Sequence, residues 1–166
     1  MNKYILSVLV ENHAGVLSQV TGLFSRRGFN INSLAVGVTQ DETVSRITIE
    51  VSGDESTVEQ VSKQLNKLVD VIKIKTLKSE DAVKRGLVLV KIKTTQKNRP
   101  EVIQITDIFR AKIVDVSQNT VIAELTGVDS KIQAFLDILE PFGIEEIVRT
   151  GMVALERGTN TLKIDK

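Results

Sequence analysis

The feature that most limits what this chain can fold into is a series of strand and helix signals written twice, the second copy starting roughly 80 residues after the first. In the first copy, residues 4–11 (YILSVLVE) are almost continuously apolar, as a central strand requires. Val16, Val20, Leu23 and Phe24 then recur at helical spacing over residues 16–27. Arg26 and Arg27 fall in the last turn, where cations complement the carbonyl end of a helix, and Gly28 supplies a left-handed cap. Residues 30–39 and 44–51 flank the polar turn Gln40-Asp41-Glu42-Thr43 and read as a hairpin. In its second strand Ile47, Ile49 and Val51 alternate with Thr48 and Glu50, so one face is buried. Asp54 is placed to cap a helix carrying Val58, Val61, Leu65 and Leu68. Residues 71–77 alternate again and close the unit.

The second copy runs through a strand at 87–94 and a helix that starts near Pro100 and bears Val102, Ile105, Ile108 and Phe109. Strands follow at 112–117 and 120–126. Asp129 or Ser130 caps a helix with Ile132, Phe135, Leu136 and Leu139, which Pro141 and Gly143 stop, and a last strand covers 144–155. The polar stretch Lys78-Ser79-Glu80-Asp81-Ala82 is the linker. Two βαββαβ units mean an α+β chain of two ferredoxin-like domains in tandem, 1–78 and 83–166, each a four-stranded antiparallel sheet with two helices on one face. Domains this small bury thin cores, and their open sheet faces and edge strands invite a partner, so a homodimer is expected.

Composition removes several classes of function. Residues 1–79 carry nine Lys/Arg against eight Asp/Glu and residues 80–166 carry thirteen of each, so no charged face advertises a nucleic acid. An RNA-binding unit with the same βαββαβ order needs aromatic residues on its central strands, yet residues 4–11 offer only Tyr4 and 87–94 offer none. The chain has no cysteine and one histidine, His13, which excludes thiolate chemistry and multi-histidine metal sites. The acidic pairs Asp41-Glu42, Asp54-Glu55 and Glu145-Glu146 are sequence neighbours that diverge in strands and are solvated in turns. Nothing assembles a catalytic constellation. No leader-like segment precedes the first strand and every apolar run is too short for a bilayer, so a cytoplasmic location is expected.

The informative segment is Glu11-Asn12-His13-Ala14-Gly15-Val16-Leu17, between the first strand and the first helix. A glycine there allows a tight turn, and the amides of Gly15, Val16 and Leu17 are donors at a positive helix end, suited to a carboxylate. The same residues also read more simply, with Asn12 as an N-cap and Gly15 only turning the chain. Asn30, at the entry to the second strand, either presents its amide to a ligand or pins the turn through a local backbone bond. His13 reads as a loop residue at the rim of such a site.

The order strand, N-x-x-G-x-L, helix, G-F-N-I resembles the ACT domain, a small-molecule sensor that commonly binds amino acids. The longer strings ILSVLVENHAGVLSQVTGLFSRRGFNINSLAV, SRITIEVSGDE and QLNKLVDVIKI resemble the small regulatory subunit of acetohydroxyacid (acetolactate) synthase. In the second half LVLVKI, IFRAKIVDVS, AELTG and RTGMVALERG are similar to that family's C-terminal domain, with Met152 where a smaller aliphatic is frequent. The resemblance implies a non-catalytic subunit that binds valine, activates a large catalytic subunit and confers feedback inhibition on branched-chain amino acid biosynthesis. It implies a homodimer through the first domain, with Asn12, Ala14, Gly15, Val16 and Leu17 of one chain and Asn30 and Ile31 of the other around the ligand. It places no cofactor in this chain; thiamine diphosphate, Mg and FAD are expected in the catalytic partner.

Overall fold

The computed structural model describes residues 2–164. The first sheet has the order β2-β3-β1-β4, built from β1 (Asn2–Glu11), β2 (Ile31–Val38), β3 (Val44–Gly53) and β4 (Val71–Leu77). All its pairings are antiparallel. Helices α1 (Val16–Arg27) and α2 (Glu55–Leu65) supply the crossovers. The alternation read in the sequence decides which face meets them. Leu6, Val8 and Val10 of β1 and Ile47, Ile49 and Val51 of β3 share one buried core with Val20, Phe24, Val61 and Leu65 of the helices. Asp54 caps α2 as expected, accepting from the Thr57 amide at 2.8 Å and the Thr57 hydroxyl at 2.7 Å. Hydrogen bonds through Thr39 Oγ1 and Asp41 Oδ1 close the Asp41–Thr43 turn of the hairpin.

The second unit repeats the order as β6-β7-β5-β8, from β5 (Ala82–Lys93), β6 (Lys112–Val116), β7 (Thr120–Gly127) and β8 (Ile144–Arg149). Its crossovers are α3 (Arg99–Ile108), opened by Pro100, and α4 (Asp129–Leu139), followed by a 3-10 turn at Glu140–Phe142. The expected Asp129 or Ser130 cap is not formed: Val128 holds the N-cap position, in extended conformation and with no side-chain bond. Val88, Val90, Ile92, Val121, Ala123 and Leu125 meet Val102, Phe135 and Leu139 in a second buried core. Phe109 lies against Phe135, ring centroids 5.2 Å apart.

One boundary departs from the sequence reading. The last strand does not run on from 144 to 155; it stops at Arg149, and a separate strand, β9 (Val153–Glu156), pairs with β5. Residues up to Val83 group with those from Gly151 onward, and Lys84–Thr150 forms the other unit, so the expected second domain of 83–166 loses its last segment. The residues that mislead are Gly151-Met152-Val153-Ala154-Leu155, apolar enough to look like the end of one long strand. They serve instead on the face of the first sheet that its helices leave uncovered, where Ile5, Leu77, Ala82 and Ala154 make a small buried cluster.

Because Phe135 is fully buried and central to the second core, Phe135→Ala is expected to cost about 3–5 kcal/mol, read as a lower denaturant midpoint.

Candidate functional site

The loop that follows β1 is tied on both sides by the strands flanking β1. The Glu11 amide donates to the Asp70 carbonyl at 2.9 Å, and the Asn12 amide donates to the Thr43 carbonyl at 2.8 Å. Asn12 also spends its side chain here, Nδ2 donating to the Glu42 carbonyl at 2.8 Å. Asn12 is therefore not the cap of α1; it fastens the loop to the β2–β3 hairpin. The cap position belongs to Gly15, at φ 90° and ψ −16°, which has no side chain to offer, so no side-chain cap closes α1. A Cβ at Gly15 would meet nothing within 4 Å, so the glycine answers a conformational need and not a lack of room. Beyond it Val16 turns into the core, while Leu17 stays 42% exposed. Ala14 is exposed as well. The first-turn amides of α1 thus stand at an open, uncapped and positive helix end.

His13 closes the other flank. Its Nε2 lies 2.8 Å from Asp70 Oδ1 and its Nδ1 lies 3.0 Å from the Ala14 carbonyl. Both acceptors favour the doubly protonated ring, so the pKa is raised, first by the Ala14 carbonyl and then by Asp70. Asp70 is a site residue that the sequence reading missed. Asp70 immediately precedes β4, and the pairing of β4 with β1 sets it beside His13.

The second feature lies at the far end of α1. Gly28, at φ 69°, ends the helix as expected, and the Phe29 amide donates to the Phe24 carbonyl at 3.0 Å. Phe29 then packs edge-on against Phe24. Asn30 emerges exposed, and its side-chain amide has no hydrogen-bond partner among the described residues, so no local bond of Asn30 pins this turn. Ile31 is half-buried against the first core, opposite Val51.

These two features are not brought together within one chain. The loop adjoins the end of the sheet where Val38 opposes Ser45 and Glu11 opposes Val44. Asn30 adjoins the other end, where Ile31 and Tyr4 both oppose Val51. The eight residues of β2 separate them, about 23 Å at the usual rise of a strand. The large open groove of this unit, about 710 Å³ and lined by Tyr4, Val58, Ser62 and Thr76, contains none of these residues. Among the described residues no group of three or more His, Asp or Glu side chains is arranged to hold a metal ion. No helix among them is long and apolar enough to cross a membrane.

Residues 6–73 match the family described as the AHAS small subunit-like ACT domain, and residues 85–158 match the small subunit of acetolactate synthase. A probable acetolactate synthase small subunit from Archaeoglobus fulgidus is 50% identical over 156 residues, 94% of this chain and 98% of that protein. The chain belongs to the acetolactate synthase small-subunit family. The acetolactate synthase small subunit of Mycobacterium leprae is likewise 50% identical over 155 residues, 93% of this chain and 92% of that one. The crystal structure of the Thermotoga maritima small subunit superposes with a TM-score of 0.91 at 41% identity, covering 96% of this chain and 100% of that chain. A small subunit of acetolactate synthase is a regulatory subunit that associates with a large catalytic one.

The His13 contacts give a pH test. A histidine whose folded pKa lies above its ordinary 6.5 contributes stability that is fully present below the unfolded pKa and is lost as pH rises through the folded one. The His13 ring should titrate by NMR above 6.5, and Asp70→Asn should move its midpoint down.

Proposed function

We propose that this small subunit is the valine sensor of an acetolactate synthase, activating the catalytic subunit and making it inhibitable by valine, the end product of the pathway. The observation that carries the reading is the placement of the two site features at opposite ends of one edge strand. β2 is the outer strand of its sheet, and Val36 and Val38 leave 47% and 63% of their surface exposed. A second copy pairing antiparallel along β2 brings the Asn30–Ile31 end of one chain to the Asn12–Leu17 loop of the other. A two-fold pairing is isologous and makes two such sites at once. It also covers a strand edge that is otherwise free to pair with other chains.

In this site the valine carboxylate accepts from the uncapped amides of Gly15, Val16 and Leu17. Asn12, its Nδ2 held by Glu42, has its side-chain oxygen left to orient the ligand ammonium. The partner copy's Asn30 brings an unengaged amide, and its Ile31 packs on the isopropyl group. Ala14 and the exposed Leu17 complete the apolar wall. Because each site needs both copies, ligand binding acts on the dimer geometry, which is what the catalytic subunit senses. The thiamine diphosphate, Mg and FAD of the reaction belong to that catalytic subunit.

Light scattering is expected to show a dimer, and calorimetry to show valine binding to the small subunit. Asn30→Ala should lower valine affinity by about 1.5–3 kcal/mol with an unchanged denaturant midpoint, as for a lost bond to a charged ligand group. Gly15→Asp should abolish valine inhibition of the reconstituted enzyme while leaving activation in place. The substitution strains the backbone at φ 90°, but aspartate tolerates a positive φ better than most residues and meets no neighbour there, so the cost is a lower denaturant midpoint in a chain that still folds. Its carboxylate occupies the positive field meant for the ligand. Wild-type valine affinity in Gly15→Asp, or a folded mutant that fails to activate, refutes this account of the loop.

A further inference from the structure

We propose that Gly151 and Met152, seated on β2 at Ser33 and Leu34, are positioning residues that pass effector occupancy from the first unit into the chain that continues as the second. The proposal rests on the reading of Asn30 and Ile31 as effector contacts, and it adds the route by which that contact is communicated.

The seat is built from several independent contacts. The Met152 amide donates to Ser33 Oγ at 2.7 Å. Gly151 approaches β2 so closely that a Cβ there would collide with the Leu34 carbonyl group. Farther along, Arg46 Nη2 of β3 donates to the Ala154 carbonyl at 3.3 Å, and Lys75 of β4 pairs with Glu156. Lys73 Nζ donates to the Lys163 carbonyl at 3.1 Å. The segment therefore crosses the sheet from its β2 edge to its β4 edge.

Two facts make this seat a joint and not only a cover. Ser33 and Leu34 follow directly on the Asn30–Ile31 end of β2, so a ligand that orders that end also orders the seat. At the other end of one peptide bond, Thr150 is fixed within the second unit. Its amide donates to the Leu87 carbonyl at 2.9 Å, and its Oγ1 accepts from the Leu87 amide at 2.9 Å. Consecutive Cα atoms keep a fixed spacing, and the two anchored residues, Thr150 and Gly151, follow one another directly along the chain.

The hold is also opposed, which lets it yield. On the same sheet face the fully buried Ser7 Oγ and the Nε of Arg46 have no hydrogen-bond partner among the described residues. Burial of Arg46 disfavours its charge and lowers its pKa. A seat with several bonds in its favour and two unsatisfied polar atoms against it is an element that a ligand can bias.

The test compares wild type with Gly151→Ala, Ser33→Ala and Ser33→Thr. Each full-length chain is measured for amide exchange in β2, for valine affinity by calorimetry, and for activation and valine inhibition of the reconstituted enzyme. Gly151→Ala and Ser33→Ala should speed exchange across residues 31–38, keep activation, and bind valine within about threefold of wild type. Their half-inhibitory valine concentration should nevertheless rise by at least about tenfold, the size of a lost coupling free energy. Ser33→Thr, which keeps the hydroxyl, should restore wild-type inhibition. Unchanged inhibition in both disrupting variants, or β2 exchange that neither variant alters, overturns the joint. Should wild type itself neither bind valine nor confer inhibition, the effector reading fails, and the exchange comparison separately decides whether this segment holds β2. If Gly151→Ala does not fold, Ser33→Ala against Ser33→Thr decides between joint and cover alone.

Discussion

A four-stranded sheet that carries both its helices on one face must find cover for the other, and this requirement organises the first unit. On that second face Ile5 and Leu77 are apolar and nearly inaccessible, and the chain brings Ala82 and Ala154 to them. An edge strand with exposed valines raises the same requirement along β2. The first is met within the chain, in part by Ala154, which most of the sequence separates from β1. The second is what a second copy would meet. Both the cover and the edge act on β2, which starts at Ile31, directly after Asn30.

The fold was legible in the sequence because it is written in periodicities. Alternation in β3, helical spacing in α1, the Asp54 cap and the Gly28 stop are local signals that appear where the residues put them, whereas α2 ends at Leu65 and leaves the expected Leu68 beyond it. The repeat then fixed the topology, since a second βαββαβ series folds by the same rules as the first. The domain boundary was not legible in this way. Whether Met152 and Ala154 extend β8 or lie on the first sheet depends on a competition between two long-range surfaces, and period-two alternation is the same in both. The Asp129 or Ser130 cap was misplaced for a smaller reason: either residue satisfies the local rule, and the chain chose an extended Val128 before both.

The loop between β1 and α1 was legible in the sequence, and its supports were not. Gly15, Val16 and Leu17 stood out because a strand-to-helix turn has few possible residue patterns. The simpler reading of Asn12 as an N-cap fails because its Nδ2 donates to the Glu42 carbonyl, which lies across the sheet in the hairpin. Asp70 went unseen because a lone aspartate before a strand carries no pattern of its own, and only the register of β4 against β1 sets it beside His13. The supports share a physical cause: they are contacts between neighbouring strands, and a sequence specifies neighbours only after its topology is known.

Two glycines stand along the proposed path from effector to response, and they are glycine for opposite reasons. Gly15 has open space around its missing Cβ and a backbone at φ 90°, so what it contributes is a shape of the chain. Gly151 has no positive φ to satisfy and a β2 backbone against it, so what it contributes is nearness. The distinction decides what substitution does at each. At position 15 a side chain meets no neighbour, so beyond the backbone strain of a positive φ what it changes is the electrostatics of the loop. At position 151 even a methyl group must push the segment off β2, whatever its polarity. Opening the helix end of α1 to a carboxylate and holding β2 to the chain beyond β8 are therefore separable properties, one of charge and one of contact. A regulator that must both recognise its effector and report it needs the two to be alterable one at a time.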